Sequence, residues 1–244
     1  MSATRILATA LRVLRQLQHD PRTVGLILVV PCLLLVIMKY IFQDNRPLFD
    51  AVAPLLLGLY PLVMMFLVTS VTTLRERTSG TLDRLMTMPL SKFDFMFGYA
   101  LAFTGVAIFQ AVLAGVVTLS VLQVPVAGSG IAIVGIATAS AFLGTTLGLL
   151  VSAFASSEFQ AVQFMPALLF PQILTCGLFV PRDQMATVLQ WFADVMPLTY
   201  SLDAMKEILL HPSWTAQCTR DLVIVLAYGI GVLLVGSITI RRTE

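Results

Sequence analysis

The chain has 244 residues, 58% of them hydrophobic and 11% charged, with a formal net charge of +2. A soluble domain carries about 25% charged residues, so the composition excludes a soluble globule and predicts an integral membrane protein. So small a net charge gives no reason to expect nucleic acid as a partner. Three scattered cysteines, Cys32, Cys176 and Cys218, make neither a disulfide framework nor a zinc site.

At the N-terminus, Ile6, Leu7, Ala10, Leu14 and Leu17 share one helical face, flanked by Arg5, Arg12, Arg15 and His19. This pattern predicts an amphipathic helix lying on the cytoplasmic leaflet over residues 1–20, not a cleavable signal peptide. A spanning helix needs about 20 mostly apolar residues, and charge-free runs supply six. The first is Thr23–Phe42, with Lys39 snorkelling at its far end, and the second is Ala51–Leu74. The block Phe95–Ser157 is too long for one crossing, and Pro125, Gly128, Ser129 and Gly130 split it into the third and fourth. The fifth is Phe159–Val180 and the sixth Leu222–Ile240. Ser140, Gly144, Gly148 and Ser152 form a small-residue stripe on the fourth, suited to close helix packing within the chain or, less readily, to a dimer seam.

With six spans both termini share one side. That side holds ten Lys and Arg residues against five on the other, which places the termini in the cytoplasm. Residues 181–220 then lie outside. Met185, Val188, Leu189, Phe192, Val195 and Met196 make one amphipathic stretch, and Leu202, Met205, Ile208 and Leu209 a second, broken at Pro197. They predict two short helices that re-enter the outer leaflet without crossing it, the alternative being a soluble extracellular cap. The fold class is therefore all-α: one polytopic domain over residues 1–244, with six spans, an interfacial helix and an outer re-entrant hairpin.

Between spans two and three lies a charged island, Leu74–Pro89, reading L-R-E-R-T-S-G-T-L-D-R-L-M-T-M-P. Leu82, Leu85 and Met86 fall at helical spacing, Ser79 or Thr81 can cap, Gly80 allows a sharp entry and Pro89 stops the helix. A loop of residues 75–94 that merely joined two spans would need no helix of its own. This one predicts a cytoplasmic docking element.

Missing motifs narrow the chemistry. No glycine-rich phosphate loop precedes Lys39, Lys92 or Lys206, and the spans hold no paired acids or histidines for a proton relay. No catalytic residue, metal or cofactor is predicted on this chain, and any energy source lies outside it. Spans two and five are interrupted by Pro54, Pro61, Pro166 and Pro171 and carry Tyr60, Met64, Gln163, Phe164 and Gln172. Such helices suit a pathway for a large, mostly apolar solute, although lipid contact or packing accounts for the same residues.

The island, with E-R-T-S-G-T-L-D-R-L followed by M-P-L, resembles the E-R-x-x-G-T-L-E-R-L-x-x-x-P signature of type-2 ABC exporter permeases, the membrane halves of bacterial drug, lipid and polysaccharide exporters. Asp83 stands where Glu is commoner. Gly177–Pro181, G-L-F-V-P, is similar to the family's G-x-x-x-P at the outer end of span five. Met196–Tyr200, M-P-L-T-Y, with Asp203 and Ala204, is similar to its P-L-T-Y-x-x-D-A segment. The resemblance implies that Glu76, Arg77, Gly80, Thr81, Leu82, Asp83, Arg84 and Pro89 form a coupling helix seated in a separate ATPase subunit, which carries the ATP and Mg2+. It implies two permeases, this chain twice or with a sibling, and two ATPases in a bacterial plasma membrane. Tyr60, Met64, Gln163, Phe164, Pro171 and Gln172 would line the solute path. Gly177, Pro181, Pro197 and Tyr200 would belong to an outer gate. The sparse charge favours an amphipathic drug-like or lipid-like solute. Rival readings are an ATPase-linked assembly or signalling component, and a lipid-modifying enzyme using Asp194, Tyr200, Asp203 and His211.

Overall fold

The computed structural model describes residues 2–80 and 91–239. Helix α1, Ala3–Gln18, packs on a later helix through Thr9, Ala10, Val13 and Leu17. Of the expected apolar face, Ala10 and Leu17 are buried and Leu14 packs against the core, while Leu7, with Leu11 near it, points away from the protein. The helix carries two apolar strips, one for protein and one outward, because the helix Lys92–Val116, α4, covers only part of it.

Helix α2, Pro21–Ile41, starts at the Asp20 cap with Pro21 at its first position, where a missing N–H costs nothing. Pro31 sits inside it and leaves the carbonyl of Ile27 without its helical donor. Gln110 of α4 supplies one, Nε2 to Ile27 O at 3.0 Å. Helix α3, Arg46–Thr78, has 33 residues. At 1.5 Å per residue it is about 50 Å long, well beyond a hydrocarbon core of about 30 Å. Both of its ends therefore reach past an apolar slab.

Helix α4, Lys92–Val116, runs on through a π-helical turn, Val117–Val121. The break anticipated at Pro125 follows, and α5 is Gly130–Ser152. Arg46 donates to the carbonyls of Leu122 and Gln123 at 2.8 and 2.7 Å, satisfying the end of that turn. The seam between α3 and α5 is the centre of the bundle. A Cβ added at Gly144 would stand 2.1 Å from the Leu62 carbonyl oxygen, and one at Gly148 2.5 Å from that of Phe66. The small-residue stripe is thus an intramolecular seam, which settles the choice left open by the sequence.

Helix α6, Glu158–Thr175, ends short of the expected Val180. It carries Gln160, Gln163, Gln172 and two prolines, and among the described residues five helices, where six were expected, are long and apolar enough to cross a membrane by length and composition. After a short turn at Arg182–Gln184 come α7, Thr187–Val195, and α8, Pro197–Leu210, broken at Pro197 as anticipated. Helix α8 packs on the tip of the α4–α5 hairpin, where Gly128 N donates to Ile208 O at 3.0 Å. Ser140 and Ser201 share a buried hydrogen bond of 2.7 Å between α5 and α8. Helix α9, Ala216–Thr239, closes the bundle against α5 and α8.

Candidate functional site

The last turns of α3 are where the bundle is tied together. Leu74 is fully buried on one face, so Arg75, Glu76 and Arg77 leave the helix in different directions. Glu76 turns inward and is only 4% exposed. Its carboxylate accepts from Arg12 of α1, Nη1 to Oε1 at 3.3 Å and Nη2 to Oε2 at 3.0 Å. It also accepts from the hydroxyl of Tyr99 on α4. Arg12 donates to the Tyr99 oxygen at 2.6 Å and stands 5.6 Å from the centre of that ring. One carboxylate thus joins α1, α3 and α4, and each buried polar atom finds a partner of opposite character.

Arg77 donates to the carbonyls of Ala153, at 2.7 Å, and Ala155, just past the end of α5. A guanidinium suits these groups because a helix C-terminus leaves its last carbonyls without partners. Arg75 makes a two-pronged pair with Glu158 at the start of α6, at 2.9 and 3.1 Å. The same end is closed by Asp94, which forms a capping box with Ser91, accepts from Ser2 N at 3.1 Å and lies 4.0 Å from Arg5. Gly80 then takes a left-handed φ of +73°, where a side chain would be strained.

Of the residues expected to couple, Glu76, Arg77 and Gly80 are thus placed, while Thr81, Leu82, Asp83, Arg84 and Pro89 lie outside the described residues. Glu76 is enclosed within the chain and does not present itself to a partner. Sequence reasoning missed its own partners, Arg12 and Tyr99. Arg12 looked like one more cation beside a lipid-facing helix. The available signal was Tyr99, a phenol in an apolar run, which when buried needs a hydrogen-bond partner.

The six expected pathway residues do not share one surface of this chain. Gln163 and Pro171 are exposed on α6, whereas Gln172 is buried and donates to Leu168 O of its own helix at 3.0 Å. Tyr60 and Phe164 pack partly buried against the main core. Met64 instead lines a cavity with residues of α1 and α2.

At the far end of the bundle, Gly177 has a φ of +80° and its carbonyl accepts from Lys206 at 3.1 Å. Arg182 donates to Asp203 at 2.6 Å and to Asp194 at 3.3 Å, with Lys206 3.6 Å from Asp203. Burial pushes the Asp203 carboxyl above the ordinary range, against the pull of Arg182 and Lys206. Pro197 is buried, Pro181 is exposed, and the Tyr200 hydroxyl donates to Asp194 O at 2.5 Å. The four expected gate residues therefore sit on or beside one locally tied segment. Lys206 and Arg182, which tie it, were not singled out in the sequence as site residues. Among the described residues no group of three or more His, Cys, Asp or Glu could hold a metal ion.

Comparison with known proteins fits this arrangement. The family described as ABC-2 type transporter matches residues 4–210. The probable multidrug ABC transporter permease YbhR of Escherichia coli strain K12 is 30% identical over 170 residues, 65% of this chain and 43% of that protein. ABC transporter G family member 20 of Dictyostelium discoideum is 29% identical over 169 residues, 69% of this chain and 23% of that protein. The inner membrane transport permease YhhJ of Escherichia coli is 25% identical over 183 residues, 74% of this chain and 49% of that protein. In each case the chain spans less than half the length of the relative. The chain belongs to the ABC-2 type transporter family and is a multi-pass membrane protein of the ABC transporter class.

Proposed function

We propose that this ABC-2 type chain is the permease subunit of an ATP-driven exporter, driven through the α3–α4 connection by an ATPase on a separate chain. The observation that carries the proposal is the knot at the end of α3. A helix that only crossed a membrane would have no need of a buried carboxylate shared among three helices beside Arg ties to two more. Force applied at residues 81–89 would enter α3 there and pass to α1, α4, α5 and α6 together. In this reading Thr81, Leu82, Asp83, Arg84 and Pro89 touch the ATPase, Glu76 and Arg77 hold the lever, and Gly80 turns the chain into it. The coupling is a switch between two packed arrangements of helices.

The rest of the assembly follows from the same reading. Two permeases, this chain twice or with a sibling, work with two ATPases that hold the ATP and Mg2+. Both termini and the coupling segment face the cytoplasm of a bacterial plasma membrane. Helix α6 makes a sixth crossing, supported by its ties to opposite ends of the bundle, Glu158 to Arg75 and Gly177 to Lys206. The exposed sides of α3 and α6, with Tyr60, Gln163, Phe164 and Pro171, line the solute path. The segment with Gly177, Pro181, Pro197 and Tyr200 gates it outward. The solute is an amphipathic drug-like or lipid-like molecule, in keeping with the apolar helices and with the description of YbhR as a probable multidrug permease.

The test is transport and ATP turnover in proteoliposomes holding the permease with its ATPase. Arg84→Glu and a helix-breaking Leu82→Pro should each abolish solute flux and the stimulation of ATP turnover, with membrane insertion intact. Unchanged flux in both would overturn the coupling assignment. ATP turnover without flux of any amphipathic solute would favour an assembly or signalling role.

A further inference from the structure

A cavity of about 510 Å3 lies between α1, α2 and α3, at the end that holds the Glu76 knot. Its walls are apolar, with Leu26 of α2, Met64 and Val68 of α3 and Phe103 of α4. Its rim is polar and includes Gln16, Asp20, Thr23, Arg75 and Glu76. Sites for drug-sized ligands measure about 300–1,000 Å3 and combine these two kinds of lining.

The rim charges are not equivalent. Arg75 is spent on Glu158, and Glu76 on Arg12 and Tyr99. Asp20 differs, because its carboxylate meets Thr23 alone among the described residues. Oδ1 accepts from the Thr23 backbone N–H at 3.2 Å and Oδ2 from the hydroxyl at 2.5 Å. A carboxylate offers about four acceptor positions, so roughly half of its capacity remains. The Thr23 hydrogen bonds, chiefly that of the hydroxyl, hold the Asp20 carboxyl below the ordinary range and keep it charged at neutral pH. Arg75 and Arg22 act on it through space, but neither forms an ion pair with it. The cavity thus has a greasy body and, at its mouth, one carboxylate with acceptor positions to spare.

We infer that this cavity binds an amphiphile with an ammonium head and an apolar body, the head against Asp20 and the body along Leu26, Met64 and Val68. Its lining includes Met64 and Val68 of α3 and no residue of α6, and its α1 side is Val13, Gln16 and Leu17. Two sources present this chemistry, a lipophilic amine solute and an aminophospholipid.

The test uses the full chain in nanodiscs of phosphatidylglycerol, without any ATPase, so its failure leaves the coupling proposal standing. The probe is dansylcadaverine, a primary amine on an aromatic body, and the control is its neutral N-acetyl form. The amine should bind about tenfold tighter, the size of one charge-assisted hydrogen bond. Asp20→Asn preserves helix capping and should erase that preference while leaving the N-acetyl form unaffected. Met64→Trp fills the cavity and should weaken both ligands. Replacing the lipid by phosphatidylethanolamine separates the sources: competition identifies an aminophospholipid as occupant, and unchanged binding identifies a solute amine. Equal binding of amine and N-acetyl forms would overturn the inference. So would an amine preference that survives Asp20→Asn.

Discussion

At one end of the bundle Glu76 is 4% exposed and shared by Tyr99 and Arg12, partners 23 and 64 residues away in the chain. At the other end Arg182 has a side chain 32% exposed and finds Asp194 and Asp203 only 12 and 21 residues away. The first set of ties joins separate long helices, so none of those helices can shift without the others. The charged ties of the second set lie mostly within one segment, 181–210, while α8 of that segment is held to the bundle by uncharged contacts, Ser140 with Ser201 and Gly128 N with Ile208 O. A bundle built this way has one end braced by long-range ionic ties, suited to receiving force, and another whose ionic ties are local. The α3–α5 seam, where Gly144 and Gly148 let the backbones touch, is the rod between them.

Variants can break or sharpen this contrast, and their sizes should fall in a definite order. Gly144→Ala cuts the rod. Its Cβ would meet backbone at 2.1 Å, which no rotamer change relieves, so a loss of about 3 kcal/mol is expected in thermal unfolding in nanodiscs. Glu76→Ala comes next, at about 2–3 kcal/mol, because it strands a buried Tyr99 hydroxyl and a half-buried Arg12. A double-mutant cycle with Arg12→Ala should show clear coupling. Arg182→Ala should cost only about 1 kcal/mol and should raise proteolysis within 181–210 without loosening α1. Arg75→Ala, which removes an exposed pair, should stay within about 0.5–1 kcal/mol. If Arg182→Ala matched Glu76→Ala in the unfolding assay, the two ends would not differ as described.

Much of the architecture was legible because the membrane imposes it. Charge-free runs located α2, α3, α4, α5 and α9, with ends as much as six residues off, as at Ala216 where Leu222 was expected, and Pro125 and Pro197 marked the breaks. The fifth expected span, Phe159–Val180, differs: α6 covers only Glu158–Thr175, and its glutamines and prolines dilute its apolar signal, so it is not one of the five helices among the described residues that are long and apolar enough to cross. The site was legible only where it is local. The cap at Ser91 was not read from the sequence, whereas Gly80 announces itself by turn chemistry. The Arg12–Glu76–Tyr99 knot does not, because it joins residues far apart in the chain and no short pattern encodes the meeting. Gln110 shows the middle case. A helix-interior Pro31 demands a donor for Ile27 O, and an isolated Gln in an apolar run is the natural supplier, but its address appears only in three dimensions.

In the proposed coupling, residue 84 meets an ATPase on the cytoplasmic face. Arg84→Cys, in a chain with Cys32, Cys176 and Cys218 replaced, can be cross-linked by a short bifunctional maleimide in oriented vesicles that also hold the ATPase. Capture of the ATPase subunit in inside-out vesicles, with no labelling from the outer face of right-side-out ones, is the predicted result. Labelling of that cysteine from the outer face would contradict it.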